Sequence, residues 1–164
     1  MKRTLHVLNE MERTGVLRRY AIGGAMAATF YVEPFLTFDL DVFVLLPELT
    51  GSLVTLTSLY HALREQGYSE ERECVLIEGV PVQFLPAYNA LIEEALAEAR
   101  DTLYDDADSR PASRAPGRVC VQTGREKDRE RVRVLCEQAR LDITYLEGVL
   151  ARYNLGARWT LWTQ

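Results

Sequence analysis

The sequence predicts an α/β (α+β) protein: a small mixed β-sheet flanked by helices, followed by a C-terminal helical portion. Three observations predict it. Residues 36–46, LTFDLDVFVLL, read as the strongest strand of the chain, with apolar and polar positions alternating through Asp41, and two further stretches at 72–77 and 80–85 flank Glu78-Gly79 like a hairpin. Around these strands the apolar spacing switches to the helical period over 2–14, 52–66 and 88–100. From residue 126 onward the helical spacing alone recurs.

Each element has its own signal. Leu5, Leu8 and Met11 put one apolar stripe on a helix over 2–14, and Gly15 suits its C-terminal stop. Residues 18–23, RRYAIG, read as a short strand entering Gly23-Gly24. A helix follows over 25–32 and breaks at Glu33-Pro34, because proline disfavours helix in the residue before it. On the 36–46 strand, Phe38, Leu40, Val42 and Val44 share one face, while Thr37, Asp39, Asp41 and Phe43 share the other. Pro47 ends that strand. Ser52 suits the N-cap of a helix to about Gln66, with Leu53, Leu56, Tyr60 and Leu63 on its buried stripe and Gly67 as its stop. Residues 88–100 are helical by propensity and by pattern.

Residues 105–118, DDADSRPASRAPGR, differ in kind. They hold two prolines and almost no large apolar group, and read as a flexible loop. Helices over 126–138 and 141–153 follow, and the tail GARWTLWTQ carries both tryptophans and is expected to dock. The chain therefore divides into a core over 1–104, a loop over 105–118 and a helical portion over 119–164 packed on the core.

Composition narrows the function classes. The 164 residues carry 24 acidic against 19 basic side chains, a net charge of −5, so no global basic field is available for extended nucleic-acid binding. No secretory signal and no membrane span is expected, and the cytoplasm is the expected location. Cys74, Cys120 and Cys136 are odd in number and far apart, and with His6 and His61 they form no zinc-like spacing; reduced core thiols are the reading.

The informative block is residues 20–46. Asp39 and Asp41 lie two residues apart on one strand face, and two uncompensated charges that close are costly inside a fold. A hard divalent cation such as Mg²⁺ (or Mn²⁺) resolves that cost. Gly23-Gly24 opens the following helix, where unpaired N–H groups favour phosphate and the absence of a side chain permits close backbone approach. Alone, an Asp-x-Asp on an exposed strand or a Gly-Gly before a helix is commonplace. Together, in strand–turn–helix–strand order, they point to a nucleotide site.

Gly23-Gly24-Ala25 followed by Thr37-Phe38-Asp39-Leu40-Asp41 resembles the signature of the nucleotidyltransferase superfamily, the DNA polymerase β-like fold. The likeness is to its small prokaryotic members, the minimal nucleotidyltransferases and the abortive-infection toxins of type IV toxin–antitoxin systems, and covers about residues 15–100. A second stretch, Gly124-Arg125-Glu126-Lys127-Asp128, looks like the Arg-x-Lys-Asp element of the toxin-like branch. The resemblance implies catalytic and metal-holding roles for Asp39 and Asp41. It implies nucleotide contacts for Gly23, Gly24, Thr37 and Lys127, with Mg²⁺ or Mn²⁺ as cofactor and a nucleoside triphosphate as substrate. The acceptor it leaves open is a protein, an RNA or a small molecule; a cognate antitoxin and a homodimer are the partners it suggests.

The chain departs from that pattern in places. Where the family carries a third carboxylate on a following strand, Val80-Pro81-Val82-Gln83-Phe84-Leu85 holds Gln83, whose amide cannot act as a general base and is a poor metal ligand. No arginine stands near Phe35 or Leu36, where members often have one. Arg18 and Arg19 read as exposed or as phosphate partners, His61 as a residue beside the buried stripe, and Glu93, Glu94 and Glu98 as an ordinary helix surface. Lys127 and Asp128 read equally as a solvated helix start, where an acid suits the helix dipole. Two functions follow: a Mg²⁺-dependent nucleotidyltransferase, or a catalytically degenerate member acting as a nucleotide-binding or toxin–antitoxin interaction module. A protein-interaction domain using Trp159 and Trp162 is the third option.

Overall fold

The computed structural model describes residues 1–24, 26, 39–47, 56–104, 108–112, 117–139 and 141–164. In chain order the described elements are α1 (Lys2–Arg13), β1 (Arg19–Ile22), β2 (Leu40–Leu45), α2 (Thr57–Glu65), β3 (Ser69–Glu71), β4 (Cys74–Ile77) and β5 (Val80–Pro86). They continue with α3 (Ala90–Ala97), β6 (Arg100–Tyr104), β7 (Asp108–Ala112), α4 (Gly117–Thr123), α5 (Glu126–Gln138), α6 (Ile143–Arg152) and α7 (Gly156–Thr163).

The strands form one mixed sheet in the order β3-β4-β5-β2-β1-β7-β6. β2 lies inside it, antiparallel to β1 through Ile22↔Val42 and parallel to β5 through Asp41↔Gln83. The β4–β5 hairpin turns at Glu78 and Gly79, both with positive φ (52° and 80°), as a two-residue hairpin loop requires. Pro81 is tolerated in β5 because pairing with β2 begins only at Val82.

The face alternation expected for the strongest strand is found in β2. Leu40, Val42 and Val44 join a core with Leu5, Leu8 and Met11 of α1 and Leu59 and Leu63 of α2. Phe43 points to the opposite face, where Ala21 and α3's Leu91, Ile92 and Leu96 meet it. Each fully buried side chain of this size contributes about 1.5–3 kcal/mol relative to an exposed one. A separate cluster of Cys120, Val121, Val132, Leu146, Leu150 and Trp159 ties α4 to α7 together. The helix over 126–138 and the docked Trp159 are therefore as expected.

Four expectations are corrected. Residues 108–112, read as part of a flexible loop, form β7, which pairs along its length with β6 and meets β1 at Ile22↔Ala112. This pairing satisfies backbone groups and needs no apolar alternation, so the sequence pattern carried no trace of it. The sheet thus crosses the boundary expected at residue 104. The helix expected over 88–100 is shorter: Asn89 caps it by accepting from the Ile92 N–H at 3.0 Å, and Arg100 already belongs to β6. Arg72 and Glu73, assigned to a strand, turn between β3 and β4. The helix α4 had no clear signal, being about two turns long with only Val119, Cys120 and Val121 apolar, after a polar stretch. The helix expected over 25–32, Met26 apart, and the capping role of Ser52 lie outside the described residues. Among the described residues, no helix is long and apolar enough to cross a membrane.

Candidate functional site

The site is built where β1 ends beside the start of β2. The Gly23 N–H donates to the Asp41 carbonyl at 2.8 Å and prolongs the β1–β2 ladder by one residue. A Cβ on Gly23 would enter the Phe43 ring, 2.6 Å from its Cδ2. Gly24 takes φ +58°, and a Cβ there would lie 2.7 Å from the Asp41 Cγ and overlap its carboxylate oxygen. Both glycines are thus required, the first by packing and the second by backbone conformation and by the carboxylate against it.

Asp41 is half-buried and Asp39, just before the strand, is exposed. Burial, and then the negative charge of Asp39, push the Asp41 carboxyl above its ordinary range, while Arg131, Arg125 and Lys127 pull it down. Burial and the neighbouring acid prevail. The Asp41 carboxylate is therefore a held charge that a cation would relieve.

The sheet register sets the neighbours of Asp41. Gln83 stands beside it on β5, and Cys74 is one residue before the Val75↔Val82 pair on β4. The Gln83 amide donates to Glu73 at 3.1 Å. The Cys74 thiol is pushed up by burial and then by Asp39, Asp41 and Glu73, which places these acids around one end of the sheet. Among the described residues no three His, Cys, Asp or Glu side chains are grouped to hold a metal. Two carboxylates still suit Mg²⁺, which is often held by one or two carboxylates with water and substrate phosphates completing its shell.

The opposite wall comes from the start of α5. Asp128, only 1% exposed, accepts from Arg125 Nε at 2.6 Å, Arg131 Nη1 at 2.9 Å and Thr123 Oγ1 at 2.6 Å. Burial raises the Asp128 carboxyl, but these bonds and the two guanidinium charges outweigh it and hold the group below the usual carboxylate range. Asp128 thus pins Arg125 and Arg131 at the polar end of a cavity of about 210 Å³ that also reaches Gly24 and Asp41. Arg158 of α7 supports this wall from behind, donating to the carbonyls of Val121 and Gln122 at 2.8 and 3.0 Å and so capping α4.

The structure brings Gly23, Gly24 and Asp41 together, with Asp39 and Lys127 close enough for their charges to act on Asp41. Thr37 lies outside the described residues. Asp128 is not a solvated helix start but a buried counter-ion. His61 is exposed and 3.6 Å from Glu65, away from this site. Arg19 donates to the carbonyls of Leu96 and Ala99 and caps α3. Glu94 and Glu98 are likewise not an ordinary surface: both face the fully buried Arg118 of α4, Glu98 at 2.8 Å, and Glu98 also accepts from the Tyr145 hydroxyl. Sequence reasoning missed Arg131; its only signal was i,i+3 spacing from Asp128.

No family model matches the chain, and no curated protein matches it. Among solved structures it is similar to the solution structure of the antibiotic-resistance factor ANT(2'')-Ia, at 18% identity and a TM-score of 0.49, over 96% of this chain and 92% of that one.

Proposed function

We propose that the chain is a nucleotidyltransferase, moving a nucleoside monophosphate from a nucleoside triphosphate to a hydroxyl. The observation that carries the reading is the packing of Gly24 against Asp41, with the positive charges of Arg125, Lys127 and Arg131 near enough to act on the same carboxylate. In this reading the side-chain-free backbone at Gly23 and Gly24 approaches the phosphates. Asp39 and Asp41 hold Mg²⁺ or Mn²⁺, which when bound neutralises charge on the phosphoryl oxygens. Arg125 and Arg131, fixed by Asp128, hold the triphosphate in line, and Lys127 adds a point charge. The Gly124–Asp128 stretch supports a place near the abortive-infection toxins, with a cognate antitoxin as partner.

The test is calorimetry with a non-hydrolysable triphosphate, with and without Mg²⁺, followed by incubation with labelled triphosphate. Asp41→Asn is expected to weaken Mg²⁺-dependent binding at least tenfold and to abolish label transfer. Undiminished binding and transfer in that variant reject the reading.

One observation favours a second reading, a nucleotide-binding module without turnover. Gln83 stands next to Asp41 in the sheet, and its amide is occupied by Glu73. Binding that ignores Mg²⁺ and yields no transfer favours the module.

A further inference from the structure

The cavity beside Asp41 changes character along its length. Beyond the polar end it runs between Phe43 and Leu85 of the sheet, Ile92 and Leu96 of α3, and Val119 and Cys120 of α4. Among the described lining residues, no carboxylate, amide or amine side chain belongs to this stretch. Burial pushes the Cys120 thiol up to about 12, as expected of a wall with little water. Tyr88, 63% exposed, stands at the rim.

Size and wall chemistry limit the occupant. An apolar cavity of about 150 Å³ admits a benzene ring. The whole cavity, polar end included, measures about 210 Å³, so its apolar stretch holds no more than one small ring and falls well short of the roughly 300 Å³ at which pockets for larger ligands begin. A sugar polyol or the edge of a purine would give up its water along these walls and find no partner.

Gln83 adds an independent constraint. Gln83 neighbours Asp41 in the sheet without lining the cavity, and its amide adds no proton acceptor on that side of Asp41, so an acceptor hydroxyl that ionises readily is favoured. A phenolic hydroxyl loses its proton near pH 10, far more easily than a hydroxyl of water-like pKa, about 15.7.

We infer that this chamber is an acceptor subsite for a small single-ring phenol, its ring between α3 and the sheet and its hydroxyl toward Asp41. The inference rests on the nucleotidyl-transfer reading. In the step, the phenolic oxygen bonds to the α-phosphorus and its proton passes to solvent water. The bond from that phosphorus to the bridging oxygen breaks, and pyrophosphate leaves with the electron pair. The product is an aryl nucleotidyl phosphodiester.

The experiment follows 4-fluorophenol by fluorine NMR with the full chain. Saturable binding is expected, at least tenfold weaker in Ala95→Phe, which fills the chamber; Val119→Met serves if that variant does not fold. A non-hydrolysable triphosphate with Mg²⁺ is expected to bind alongside the phenol, and a hydrolysable one to give a new fluorine resonance with release of pyrophosphate. Absence of saturable binding, unchanged binding in the folded filled variant, or displacement by the triphosphate overturns the subsite. So does joint binding without the new resonance. Phenol binding in a protein that binds no triphosphate overturns instead the nucleotidyl-transfer reading beneath it, and the acceptor role with it.

Discussion

Gly24 and Asp41 share one volume: the space that a Cβ on Gly24 would take is filled by the Asp41 carboxylate. The carboxylate is thereby fixed by the backbone of the neighbouring strand's end, not only by its own strand.

Gly24→Ala is expected to displace Asp41 and weaken triphosphate binding at least tenfold in calorimetry. The left-handed backbone alone costs about 1–2 kcal/mol for a residue with a Cβ. Gly15→Ala is the control, since Gly15 also has positive φ (79°) but open space around it. Urea unfolding should show a larger loss for Gly24→Ala than for Gly15→Ala, and equal losses would mean that the carboxylate simply moves aside.

Asp128→Asn is expected to destabilise the fold by about 3 kcal/mol, as breaking a buried ion pair from one side does. The pH dependence has a defined sign. Asp128 is held below its ordinary value in the folded chain, so its contribution is present above the unfolded aspartate value of about 3.9 and fades as pH falls through the lower folded value. The stability gap between wild type and variant should therefore be wide at pH 7 and close on acidification below about pH 4. A gap that stays constant across that range would show that Asp128 acts by packing alone.

Gln83→Glu is expected to set a second carboxylate against Glu73, where an amide now donates at 3.1 Å. Like charges so close destabilise one another. The melting temperature of this variant should fall in chelator and recover in millimolar Mg²⁺, while wild type responds less. Equal responses of the two proteins would argue that Gln83 does not face the proposed cation site.

Arg158→Ala is expected to lose two bonds to the end of α4, a loss of about 1 kcal/mol at an exposed helix terminus. The turn at Gly124 packs under the same guanidinium and leads into Arg125. Triphosphate affinity should therefore drop more than the small change in unfolding midpoint suggests, and Arg158→Lys should restore part of it. An affinity unaffected by Arg158→Ala would separate α7 from the site.

Much of the arrangement was legible because it follows from local rules. The period-2 pattern of Leu40–Val44 gave both faces of β2, and Glu78-Gly79 gave the β4–β5 hairpin. Glycine at 23 and 24 and the acids at 39 and 41 marked the candidate site by residue type and spacing, and Gly24 and Asp41 do lie against each other. What escaped notice depends on distant partners. β7 exists through backbone pairing with β6 and β1, which leaves no apolar mark on Asp108–Ala112. Arg19, Arg118 and Asp128 look like surface charges in a linear reading, because the carbonyls and counter-ions that bury or bind them lie on other elements or one helical turn away.

The pairing of Asp41 with Gln83 also has an evolutionary side. A glutamine codon becomes a glutamate codon by changing its first base alone. The sheet already presents position 83 beside Asp41, so no backbone rearrangement would have to accompany that change. A single point mutation therefore separates this chain from one that carries a carboxylate beside Asp41.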